Sequence, residues 1–199
     1  MRAPERGDNW PMAPIRGSEM TIPDVLGLLD LAARLGVRLW LDGGWAVDAN
    51  LGRQTRRHAD VDIVVTWADL DRLLGALRAR GYRPVPRDDT RPENFVLGDD
   101  AGHEVDFHVI ELDPETGDGR YGPPERGDVF PAAALSGRGT IGGRHVACIT
   151  PDWLIRWHTG YEPDPDDLAD VSALCATFDI PLPEEYVALR SRLGGSPEA

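Results

Sequence analysis

The sequence predicts a mixed α/β (α+β) fold: a mixed sheet with flanking helices, followed by a mostly helical C-terminal part. Three observations carry this. Apolar residues recur at helical spacing early in the chain (Val25, Leu28, Leu29, Ala32, Leu35) and again at Leu70, Leu73, Leu74 and Leu77. Short β-rich runs separate these helices, and in one of them, 104–110, polar and apolar residues alternate. Beyond residue 150 the helix starts Thr150-Pro151 and Asp164-Pro165 dominate.

The elements follow in order. Residues 1–20 hold three prolines and no periodicity, so they read as an N-terminal arm. Thr21 and Asp24 make a capping box for the first helix, which Gly36 ends. A strand over Leu39–Leu41 runs into a glycine turn, Asp42-Gly43-Gly44-Trp45, then a short helix over 46–51 stopped by Gly52. A basic loop, 53–58, leads to Asp60-Val61-Asp62 and a second strand over 61–65. Thr66 and Asp69 suggest another capping box, for a helix closed by Gly81. A strand over 82–85 precedes a polar loop. Runs 94–97 and 104–110 then form a hairpin across 98–102, with Glu104, Asp106 and His108 on one face. Residues 112–127 read as one long loop. Gly142-Gly143 turns a second hairpin, and three helices follow, the last over 184–193.

Composition narrows the class. A chain of 199 residues, 41% hydrophobic, builds one domain with an extension. Its formal net charge of −13 argues against a nucleic-acid partner. All 21 basic residues are arginine, so arginine, histidine or backbone N–H groups must meet any phosphate. Cys148 and Cys175 lie far apart in apolar runs and read as buried free thiols in a reducing cytoplasm. No apolar run reaches the roughly 20 residues that span a bilayer, so no membrane partner is expected.

The chemistry concentrates between Leu39 and Val65. Asp60 and Asp62, two apart on a strand, share a face about 6.6 Å apart at Cα. Asp106 joins them if its strand pairs beside theirs. At about 5 Å and a dielectric near 20, each carboxylate pair costs roughly 3 kcal/mol, so the cluster holds a proton or a cation. Oxygen ligands suit Mg²⁺ with substrate phosphates. Gly43 and Gly44, lacking Cβ atoms, admit a phosphate to a helix N-terminus. Trp45 reads as a core anchor, and Asp48 as a partner for the adjoining loop. Arg56 or His58 either touches a triphosphate or belongs to a solvated loop. Other chemistries fit less well. The Asp-x-Asp pair opens its strand, whereas a dehalogenase-type phosphatase places it after one. A glycosyltransferase metal pair would leave the glycines idle. There is no Gly-x-Ser-x-Gly elbow and no Walker loop, whose lysine is absent.

With those residues placed, the chain resembles the nucleotidyltransferase-fold antibiotic-modifying enzymes. It resembles the lincosamide nucleotidyltransferases most, and the aminoglycoside 2″-nucleotidyltransferases next. The likeness lies in Trp40-Leu41-Asp42-Gly43-Gly44-Trp45, in Leu51-Gly52-Arg53-Gln54 with Arg56 and His58, in Asp60-x-Asp62-Ile63, and in Val105-Asp106-Phe107-His108. It resumes at Cys148-Ile149, at His158-Thr159-Gly160-Tyr161, and at Asp167 and Asp170-Val171.

The resemblance implies a catalytic domain over 21–127, with a C-terminal hairpin and helical region over 128–199 completing the acceptor site. It implies ATP or another nucleoside triphosphate against Gly43-Gly44, with Asp60 and Asp62 holding Mg²⁺. Asp106 would act as a further ligand or as the base on an acceptor hydroxyl, with Glu104 and His108 as spare bases. The partners implied are the triphosphate and a small antibiotic-like hydroxyl acceptor, with a homodimer left open. Acceptor choice falls to loops 86–93 and 111–127 and to the last helices. Where many relatives carry a lysine before the Asp-x-x-Asp helix, this chain has Asp164-Pro165-Asp166, and Arg156 is the candidate replacement. Two other readings remain: the same transfer onto a tRNA or protein hydroxyl, and a degenerate nucleotide-binding module.

Overall fold

The structure, a computed structural model, describes residues 19–194; most of the expected N-terminal arm, 1–18, lies outside the described residues. Its last two positions are anchored. Met20 is buried and its N–H bonds to His58 O at 2.9 Å, while Glu19 pairs with Arg57. The capping box at Thr21 and Asp24 forms as expected. It opens α1, Ile22–Leu35, which Gly36 ends in left-handed conformation at φ 64°.

The next stretch departs from expectation in one respect. β1, Leu39–Leu41, is followed by α2, Gly43–Leu51, so Gly43 and Gly44 form the first turn of the helix and not a turn before it. Asp42 is the N-cap, its side chain accepting from Gly43 N at 2.9 Å. Then come β2, Asp60–Thr66, and α3, Trp67–Arg78, whose Leu70, Leu73, Leu74 and Leu77 are buried. The second expected capping box does not form. Asp69 instead accepts from Arg38 N at 3.1 Å and pairs with Arg72, so it ties α3 to the approach of β1.

β3 (Arg83–Val85), β4 (Asn94–Gly98) and β5 (Glu104–Leu112) complete a sheet of order β1-β2-β5-β4-β3. The pairing that matters is β2 with β5, which is parallel and sets Asp60 opposite Glu104, Asp62 opposite Asp106, and Val64 opposite His108. A parallel pair puts facing residues on one side of the sheet, so Asp106 lies on the face of Asp60 and Asp62. The opposite set, Val61, Ile63, Val105 and Phe107, is fully buried, and α3 packs against both strands.

The predicted long loop is not structureless. Where β5 outruns β4, its end pairs with β6, Gly119–Tyr121, which pairs in turn with β7, Val129–Phe130. The boundary expected between residues 127 and 128 thus falls between two paired strands. A single 3-10 turn, Pro124–Arg126, joins them.

β8 (Arg138–Ile141) and β9 (Arg144–Ala147) form the expected hairpin, with Gly142 and Gly143 both at positive φ. β9 leads onto β1: Ile149 N donates to Leu41 O at 2.9 Å. Helices α4 (Pro151–Trp157), α5 (Pro165–Phe178) and α6 (Glu184–Gly194) close the chain, with α4 and α5 both against α2. Cys148 and Cys175 are buried and free, and Trp45 is in the core. Among the described residues, no helix is long and apolar enough to cross a membrane.

Candidate active site

Three ligand atoms converge at the centre of the sheet face. One each from Asp62, Asp106 and His108, they lie within 4.8 Å of one another. The β2–β5 register puts the aspartates there, and strand alternation adds His108 two residues beyond Asp106. Asp106 Oδ1 is buried with no hydrogen-bond partner. Asp60 stands one pair further out, beside Glu104, and is outside that group. Glu104 itself is engaged by Arg87 at 2.6 Å.

His108 is held from the other side. Its Nδ1 lies 3.0 Å from Asp42 Oδ2, while Asp42 Oδ1 caps α2. One carboxylate thereby joins the start of α2 to β5. The sequence reading took Asp42 as part of a turn. Its position before Gly-Gly was the available signal for an N-cap.

The electrostatics follow from crowding. Burial, then the charge of Asp60, pushes the Asp62 carboxyl up to about 8, with His108 pulling it back. Burial also raises Asp106 and Asp60, the latter with help from Glu104. For His108 burial works downward, but the Asp42 hydrogen bond and the charges of Asp42, Asp62 and Asp106 win, holding the imidazole up at about 9. The cluster therefore retains protons that isolated side chains would release. A bound cation would displace them. Oxygen donors with an unpartnered lone pair fit a hard divalent ion.

The two glycines are there for a different reason from the one expected. A Cβ on Gly43, which sits at φ 53°, would collide with the Asp62 carboxylate. A Cβ on Gly44 would sit 2.5 Å from His58 Nδ1 and 2.9 Å from Arg56 Nη2. The Cβ positions of both glycines are thus taken up by protein side chains. The N–H groups of Gly44 and Trp45, in the first turn, have no backbone partner among the described residues.

Arg56 and His58, expected at a triphosphate, are committed elsewhere. His58 is buried, with Nε2 2.6 Å from Asp48 Oδ2. Arg56 donates to Asp170 Oδ2 from Nε at 3.1 Å and from Nη2 at 2.9 Å. Asp48 accepts from Thr55 N at 2.8 Å, the loop-partner role read from sequence.

Asp42, Gly43, Asp62 and His108 form the floor of a cleft of about 480 Å³. Its wall is aromatic. Tyr121 meets Phe130 edge-on at 5.5 Å between ring centroids, Phe130 meets Trp157 at 4.7 Å, and Tyr161 lies at the rim. Arg91, Arg126 and Asp128 also line it; Arg126 is held by Glu93 at 3.0 Å and Asp128 at 2.8 Å. The loops named from sequence contribute Arg91, Tyr121 and Arg126, but Phe130 lay beyond them. Arg156 instead stacks over Trp153, at 5.0 Å.

Comparison with known proteins gives concordant results. The family described as aminoglycoside-2″-adenylyltransferase matches residues 24–174. A lincosamide resistance protein of Staphylococcus haemolyticus is 26% identical over 160 residues, which are 80% of this chain and 98% of that protein. Among solved structures, the lincosamide antibiotic adenylyltransferase LnuA, lincomycin-bound, superposes with a TM-score of 0.71 at 28% identity, covering 82% of this chain and 100% of its own. ANT(2″)-Ia in complex with adenylyl-2″-tobramycin gives 0.64 at 22% identity, covering 86% and 98%, a likeness of fold.

Proposed function

The chain belongs to the aminoglycoside-2″-adenylyltransferase family and is a nucleotidyltransferase; from that premise we propose that it moves AMP from ATP to a hydroxyl of a small antibiotic, with Mg²⁺. The observation that carries the reading is the parallel register that faces Asp62 with Asp106 and leaves Asp106 Oδ1 unpartnered.

Asp60, Asp62 and Asp106 would hold the metal, with His108 beside them. When bound, Mg²⁺ supplies positive charge to the triphosphate and to the charge that develops at phosphorus. The residues do the rest. Gly44 and Trp45 N–H groups, at the positive end of α2, receive phosphate oxygens. Asp106 takes the acceptor's proton through the carboxylate oxygen that does not hold the metal, a role worth about 10²–10⁴ in rate. The hydroxyl then attacks the α-phosphorus in line and pyrophosphate leaves. Glu104, tied to Arg87, is the poorer base.

For the acceptor, the wall of Tyr121, Phe130 and Trp157 favours an amphiphile of the lincosamide kind, with Asp128 near for a basic nitrogen. An aminoglycoside is the second reading, favoured by the acids Asp42, Asp62 and Asp128 in the same cleft. The test is incubation with ATP, Mg²⁺ and either lincomycin or tobramycin, with products weighed by mass spectrometry. An adenylylated acceptor is expected, and no product with either rejects the antibiotic assignment. Trp157→Ala should raise the acceptor KM about ten-fold while leaving the ATP KM unchanged, because it removes apolar contact area from one substrate alone.

A further inference from the structure

We propose that Arg56 and His58 are positioning residues that hold the first turn of α2 in register for the nucleotide without touching it. The proposal rests on the reading that phosphates meet that turn. The two side chains press on Gly44, and none of the three residues lines the cleft: the site a Cβ would occupy is 2.5 Å from His58 Nδ1, 2.6 Å from His58 Cε1 and 2.9 Å from Arg56 Nη2. Each is fixed behind. His58 is held by Asp48, which also takes Thr55 N at 2.8 Å and Thr55 Oγ1 at 2.6 Å, so the loop is folded under its own helix. Arg56 reaches across to α5, placing two donors on Asp170 Oδ2 and one nitrogen 3.7 Å from Asp166.

On the cleft side Gly43 rests against Asp62. The helix start is thus gripped on both flanks, at Gly43 by Asp62 and at Gly44 by Arg56 and His58. Asp170 is only 2% exposed, and its Oδ1 has no partner, so Arg56 is the cation on which this carboxylate depends. Loss of Arg56 strands a buried charge and frees the turn. Misplacement of binding groups by about 1 Å can cost up to about 10²-fold. A loss confined to nucleotide binding appears in KM and spares kcat.

The test compares Arg56→Ala with the double variant Arg56→Met/Asp170→Leu. The double variant removes both charges and restores packing between α2's loop and α5. Arg56→Ala should raise the ATP KM about ten-fold, with kcat within about two-fold and the acceptor KM unchanged. The double variant should return the ATP KM to within about three-fold of wild type, as apolar replacements of buried ion pairs commonly do. If the folded double variant stays as impaired as Arg56→Ala, the arginine's charge meets the triphosphate itself and the proposal is overturned. Gly44→Ala keeps every charge and should also raise the ATP KM alone; an unchanged KM counts against the idea.

A second readout needs no turnover. Amide exchange at Ala46, whose N–H bonds to Asp42 O at 3.1 Å, should be at least about ten-fold faster in Arg56→Ala and recover in the double variant. Unaltered exchange overturns the positioning role even if the wild type proves inactive. Failure of the wild type to bind ATP by calorimetry, with exchange behaving as described, sinks the nucleotide reading instead.

Discussion

Two polar clusters flank the first turn of α2, built from the same residue types and opposite in character. In front, Asp42, Asp62 and Asp106 crowd around a single imidazole, His108, with Asp60 one pair further out. Behind, Asp48 and Asp170 each have their own hydrogen-bonding partner, His58 and Arg56. In the rear cluster Asp48, His58 and Asp170 are buried and each has a side-chain partner, Arg56 being partly exposed. The front cluster brings its acids against one another and opens onto the cleft. The difference separates structural from functional carboxylates. Where each buried acid is tied to its own partner the fold is complete by itself, and where acids converge on one another at a cleft something must still arrive.

The comparison is broken most sharply at Asp62. Asp62→Asn should lower kcat by about 10³-fold or more, equivalent to about 4 kcal/mol of barrier, because a metal ligand is lost. It should also raise the metal-free melting temperature at neutral pH, since the native state no longer has to take up a proton at this position to fold. Steady-state rates and thermal melts in EDTA check both signs. Asp60→Asn should behave alike in rate. If either variant retains full activity, the front cluster is not the reaction centre.

Asp106→Asn comes next. It should cost about 10²-fold in kcat, the range of a lost general base, with a smaller loss of ATP affinity by calorimetry. An equal loss of affinity and rate would mean that the residue serves as a ligand alone.

Behind α2 the pattern should invert. Asp48→Asn leaves His58 facing an amide and weakens two bonds to Thr55. Breaking such a buried network costs about 2–4 kcal/mol of stability. Below the melting temperature kcat should stay within about three-fold, since no reacting atom is touched. Chemical denaturation with parallel rate measurements checks this. A rate loss as large as that of Asp62→Asn would erase the distinction between the clusters.

The contrast also explains what was legible in the sequence. The front acids were readable because strand alternation fixes their face, and the one unknown, the partner strand, was settled by Asp62 meeting Asp106. The rear cluster was not readable. Arg56 and Asp170 are 114 positions apart, and no local pattern announces that a loop arginine turns inward. The surroundings of the glycines were hidden for the same reason. Gly-Gly after a strand looks like a turn, yet the atoms that demand glycine belong to Asp62, His58 and Arg56. Long helices such as α1 and α5 carried their own start signals, a capping box at Thr21 and Asp164-Pro165, and came out as expected. β6 did not, because Gly-Arg-Tyr has no strand signature and exists only through the free end of β5. The aromatic wall was missed because its rings come from separate elements that only the fold brings together.

The smallest effect expected is a pH dependence, and it separates the clusters once more. Asp62 rises from 3.8 to about 8 on folding, and His108 from 6.5 to about 9. In both cases the native state holds the proton more tightly than the unfolded chain. The stability Asp62 contributes is therefore present below 3.8 and lost as pH climbs through about 8; that from His108 is present below 6.5 and lost through about 9. The metal-free protein should accordingly lose about 1–3 kcal/mol between pH 6.5 and 9, less than the shifts imply because the two groups are coupled. Mg²⁺ competes with those protons, so its affinity should climb over the same window and saturating Mg²⁺ should flatten the decline. Proton uptake or release on Mg²⁺ addition, measured by calorimetry in buffers of differing ionisation enthalpy, gives the sign directly: protons should come off. In Asp62→Asn both the release and the slope should shrink, whereas Asp48→Asn should leave the release untouched, because its carboxylate is paired with or without the ion.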